Sequence, residues 1–149
     1  MAAGRFRRIL VGFDGSPDAA EALRVAAAIA CLDGGHVVAL CVTRYGPTTE
    51  GTDSYDSESR KLQRLAETCF DELKRGQTPG DGVRTSVQVL GANHDNAGQV
   101  LTDYAAKHGF DILVVGRHGD GMSRRSRLGR VADAAARASS VPVLLLSAQ

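Results

Sequence analysis

Glycines and arginines crowd one short stretch of this chain. Residues 116–130 read GRHGDGMSRRSRLGR, with glycines at 116, 119, 121 and 129. Arg117, Arg124, Arg125, Arg127 and Arg130 stand in it against a single Asp. Glycine lets backbone N–H groups approach a ligand closely, because no Cβ intervenes. Gly129 is placed to open a helix, and a helix N-terminus favours anions. Backbone donors, a helix dipole and guanidinium groups together suit a polyphosphate. A solvated basic loop with no ligand would have the same composition, so the position of the stretch in the fold must decide. A second segment, VGFDGS at residues 11–16, sets Asp14 between two glycines. That Asp either faces a ligand or closes a strand-to-helix turn.

Other reactive side chains offer less. The histidines, at 36, 94, 108 and 118, do not cluster, so no metal site is expected. His118 lies in the basic loop, where it could contact phosphate. Cys31, Cys41 and Cys69 form no CxxC pair and sit among apolar neighbours. They read as buried, reduced thilols of a reducing cytosol. No nucleophile–base pair stands out, so no catalytic residue is assigned.

The elements that must carry these segments follow from hydrophobic periodicity. Apolar runs at 9–13, 37–42, 112–115 and 141–146 read as strands, and 83–90 alternates like a half-exposed edge strand. Helical spacing links Leu62, Leu65, Ala66, Cys69 and Leu73, and again Ala97, Val100, Leu101, Tyr104 and Ala105. Residues 17–33 are Ala-rich and start on Ser16 as N-cap with Pro17 next. Asp95 is the expected cap of the third helix. The polar stretch 44–57 is expected to be a mobile loop. Strands alternating with helices imply a parallel sheet with helices on both faces. Right-handed crossovers then leave few arrangements, and the strand order 3-2-1-4-5 is one natural choice. Its reversal lies between strands 1 and 4, and ligands bind at the strand carboxyl ends beside such a reversal. VGFDGS and the basic loop both leave strands there.

Composition narrows the function classes. A chain of 149 residues fits one domain over 1–149, and 43% hydrophobic with 23% charged residues is ordinary globular composition. The net charge of +1 gives no global field toward nucleic acid or a membrane. No apolar run has the length of a signal peptide or a membrane span, so a cytoplasmic protein is expected.

At the glycines the chain resembles the universal stress protein family. That family carries G-x2-G-x9-G-[S/T] after strand 4, and Gly116, Gly119 and Gly129 match all three glycines. VGFDGS and the closing SSVPVLLL strand are also similar to the family. The resemblance implies an open, five-stranded, Rossmann-like sheet of the adenine nucleotide alpha hydrolase-like type. It also implies ATP, with Mg²⁺ on the phosphates, and a homodimer through the C-terminal strand 141–146. Asp14 then lies on the adenosine side and Val42 at the adenine, with Gly12 and Phe13 also among the binding residues. Val115 and Gly116 lie at the ribose, and Gly119, Gly129, Arg130 and Val131 at the phosphates. Two positions depart: Arg130 replaces the small hydroxyl residue, and Gly12 stands where some members have Pro. The implied role is regulatory, with slow ATP hydrolysis at most. The alternatives are a nucleotide-free interaction scaffold and an enzyme of the same fold. The SGGxDS and HxGH signatures of such enzymes are absent.

Overall fold

The computed structural model describes residues 6–43, 52–76, 83–91, 96–118 and 128–148. Strands and helices alternate along them: β1 (Arg8–Gly12), α1 (Pro17–Asp33), β2 (His36–Thr43), α2 (Thr52–Arg75), β3 (Arg84–Gly91), α3 (Ala97–Lys107), β4 (Ile112–Gly116), α4 (Arg130–Ala138) and β5 (Val143–Leu146). The strands form one sheet in the order β3-β2-β1-β4-β5, with every pair parallel. The sheet order is the expected one.

Period-two alternation divides the central strands between two cores. Ile9 and Val11 face α1 and α2, together with Val37, Ala39, Ile112 and Val114. Leu10 faces α3 and α4 with Leu40, Leu113 and Val115. The helices before the reversal therefore lie on one face and those after it on the other, as right-handed crossovers require. Alanines at 22, 26 and 30 give α1 a flat face, so it packs close to the sheet. Ser16 caps α1 by accepting the Ala19 N–H at 3.2 Å, and Pro17 starts the helix without an orphan N–H.

Three local expectations change. α2 begins at Thr52, so the second half of the expected loop is helix, while residues 44–51 lie outside the described residues. Its first turns carry no apolar stripe for periodicity to detect. Farther along α2, Phe70 is buried while Leu65 stays exposed near Gly15. The cap of α3 is Asn96, whose Oδ1 accepts the Gly98 N–H at 2.7 Å, while Asp95 lies outside the described residues. Asx residues at adjacent positions carry the same capping signal, and only the turn geometry chooses between them. β5 starts at Val143 because Pro142 has no N–H to give a ladder; its carbonyl still accepts from Leu113 at 2.9 Å. No described helix is long and apolar enough to cross a membrane.

Candidate functional site

The turn from β1 to α1 forms one wall of a cleft. The Phe13 N–H extends the sheet ladder to the Leu40 carbonyl at 3.0 Å, and the ring is buried. Asp14 then closes the turn, its Oδ1 accepting the Ser16 N–H at 2.9 Å. Gly15 makes that turn possible at φ 83°, a left-handed conformation that suits glycine. The turn role of Asp14 does not remove it from the cleft, which its residue also lines. Neighbouring Cys41 is fully buried, and burial followed by the Asp14 charge pushes its thiol up to about 12.

β4 ends against α1. A Cβ on Gly116 would lie 2.7 Å from the Asp18 Cβ and 3.0 Å from the Asp18 carbonyl carbon. Glycine is thus required for contact between the strand end and the helix start. Immediately beyond, the Arg117 N–H donates to the Leu146 carbonyl at 2.8 Å and continues the β4–β5 ladder. The His118 N–H donates to Asp18 Oδ2 at 3.1 Å, and its ring Nδ1 lies 3.0 Å from the same oxygen. Both residues are buried, at 8% and 3% exposure. Asp18 carries no motif and escaped the reading of the sequence, since its partners lie far along the chain.

α4 points its N-terminus into the same space. Gly129 is its N-cap, but the Gly129 N–H is already spent on the Arg117 carbonyl at 2.7 Å. The glycine therefore closes the base of the loop rather than offering its own N–H to a ligand. The next three N–H groups, of Arg130, Val131 and Ala132, have no acceptor within the helix by its geometry. All three residues line the cleft. Arg130 itself is exposed.

The cleft measures about 550 Å³, within the usual range for small-molecule sites. It brings together Gly12, Phe13, Asp14, Val42, Val115, Gly116, Gly129, Arg130 and Val131. Gly119 lies outside the described residues, as do Arg124, Arg125 and Arg127. Leu40, Ala97 and Leu101 complete an apolar wall that sequence reasoning did not assign to the site. Their burial was readable from helical and strand spacing, but their place at the cleft depends on where α3 crosses the sheet. His118 and Ser16 add polar groups to the lining. One end is thus apolar and suits a flat ring. The other joins a helix N-terminus to a guanidinium and suits an anion. Among the described residues, no group of three or more His, Cys, Asp or Glu is arranged to hold a metal ion.

Comparison with known proteins gives a consistent picture. The model of the universal stress protein family matches residues 5–147. A universal stress protein family member from Burkholderia pseudomallei superposes with a TM-score of 0.72 at 22% identity, covering 97% of this chain and 98% of that one. The Archaeoglobus fulgidus universal stress protein in complex with dAMP has a TM-score of 0.68 at 20% identity, covering 95% and 98%. A universal stress protein in complex with cAMP has a TM-score of 0.64 at 21% identity, covering 98% and 100%.

Proposed function

The chain belongs to the universal stress protein family, and on that premise we propose that it is a cytoplasmic regulatory protein whose cleft binds ATP. The observation that carries this reading is the meeting of an apolar wall and the α4 N-terminus in one cleft of nucleotide size. The adenine would stack between Val42 and the apolar residues of α3, with Asp14 toward the ribose. The phosphates would take the N–H groups of Arg130, Val131 and Ala132, a donor set that fits an anion without any side-chain hydroxyl. Mg²⁺ would arrive on the phosphates and neutralise part of their charge, with Asp14 lining the same cleft. Adenine nucleotides bound to two similar proteins support the choice of base. β5, at the sheet edge, would pair with its two-fold mate to make a homodimer.

Arg130 sets the direction of the test. Where other members have a small hydroxyl, this chain has a cation in the cleft lining. As a partner of the outer phosphates it is worth about 1.5–3 kcal/mol, roughly ten- to a hundredfold in affinity. Titration calorimetry should then show Arg130→Ala losing ATP affinity by that factor and AMP affinity far less. If Arg130 fills the phosphate site instead, Arg130→Ser tightens ATP binding, and the reading shifts toward a nucleotide-free scaffold. Wild type and both variants all failing to bind any adenine nucleotide would reject the binding reading.

A further inference from the structure

Asp18 stands in the first turn of α1, where the helix dipole suits a carboxylate, yet its hydrogen bonds reach residues far along the chain. Ser16 already caps α1, and Ala19 and Ala22 near Asp18 on the helix are buried. Burying a carboxylate is costly unless hydrogen-bond donors surround it. Among the described residues, donors come from two distant places. Oδ2 receives the His118 backbone N–H at 3.1 Å and lies 3.0 Å from His118 Nδ1, while Oδ1 receives the Ala148 N–H at 2.7 Å. A carboxylate only accepts, so Nδ1 carries the ring proton on that side. The positive end of α1 adds to the stability of the charge. His118 is part of the cleft wall, and Ala148 lies two residues beyond the edge strand β5. One carboxylate thus spans from the cleft to the C-terminal edge.

We propose that Asp18 is a positioning residue that couples the nucleotide cleft to the C-terminal edge of the sheet, through His118 on one side and Ala148 on the other. The proposal rests on the nucleotide reading of the cleft. A phosphate drawn against the wall formed by His118 shifts the imidazole and its backbone N–H. Asp18 follows, because both contacts end on one oxygen. Its rigid carboxylate plane carries the movement to the second oxygen and so to Ala148. Gly116 keeps this lever short, since a Cβ there would push Asp18 away. Coupling of this kind is reciprocal: where ATP tightens the Ala148 contact, loosening that contact weakens ATP by the same factor.

The test uses the full chain with ATP as the probe. In wild type the Ala148 amide resonance should shift as ATP saturates the cleft. Asn has one acceptor oxygen and cannot serve both sides, so Asp18→Asn should weaken ATP by about fivefold or more and abolish the Ala148 response. A second variant guards against a folding defect at position 18. Ala148→Pro removes the tail donor, lies beyond the last strand, and should weaken ATP severalfold while circular dichroism shows the chain still folded. Wild type that binds ATP while the Ala148 amide stays still overturns the coupling and leaves the nucleotide reading intact. So does Ala148→Pro that binds ATP as tightly as wild type. Wild type that binds no adenine nucleotide overturns both.

Discussion

A methyl group placed on Gly116 should destabilise the fold more than the same methyl group on Gly12, although both would meet a neighbour at the same distance. At Gly116 the new Cβ lies 2.7 Å from the Asp18 Cβ, 3.0 Å from its carbonyl carbon and 3.2 Å from the Ala19 nitrogen. Carbon atoms pack best about 3.5–4.0 Å apart, so β4 and α1 must separate by roughly 0.8 Å or more. None of these atoms can rotate away, because the first turn of α1 is held by the Ser16 cap and the sheet. Overpacking against such a wall costs about 1–3 kcal/mol. For a domain of this size, about 2 kcal/mol lowers the melting temperature by roughly 6–8 °C. At Gly12 the new Cβ also lies 2.7 Å from its nearest neighbour, but that atom is Leu101 Cδ1, the end of a side chain. A rotamer adjustment there costs about 0.5–1.5 kcal/mol. Thermal and urea unfolding of Gly116→Ala and Gly12→Ala, followed by circular dichroism, compares the two. Equal losses, or a larger loss for Gly12→Ala, would refute the argument that neighbour stiffness sets the cost.

Three further outcomes can be checked. The carbonyls of Pro142 and Leu146 accept from β4, so residues 143 and 145 turn their backbone groups to the open edge of β5. Leu145→Pro should therefore give a folded monomer where light scattering finds wild type dimeric at tens of micromolar; a monomeric wild type would reject the edge-paired dimer. Cys41, fully buried with its thiol pushed up to about 12, should resist a thiol reagent in the native state and react only after unfolding. Labelling of Cys41 as fast as Cys31 would contradict its burial. His36 is held below its usual 6.5, first by burial and then by Arg84 and Arg8. The unfolded chain then binds the proton more tightly, so stability falls as pH drops through 6.5 toward the folded value. His36→Gln should flatten that part of the urea-unfolding profile, and an identical slope would dismiss His36 as its source.

Much of the architecture follows from local signals. Ile9–Val11 is apolar on both sides, as a central strand must be, and the alternation of 84–89 marks an edge. Ser16 and Pro17 announce α1 within two residues. Crossover handedness then brings VGFDGS and the end of β4 toward one another, while Val42 was assigned to the site only through the family resemblance. The sequence was weaker wherever the signal was not periodic. The polar first turns of α2 and the choice of Asn96 over Asp95 depend on the path of the chain around them.

What the tertiary structure alone decided is who meets whom across long separations. Asp18 and His118 are 100 residues apart, and Asp18 and Ala148 are 130 apart. Leu40 and Leu101 share the cleft wall only because α3 packs on the sheet face that Leu40 points to. The Gly129 N–H, suited by sequence to a phosphate, is consumed by Arg117 once the loop base closes. Periodicity and capping record interactions within about four residues of each other. They carry no information on the contacts formed when successive crossovers bring distant strand ends to one edge of the sheet.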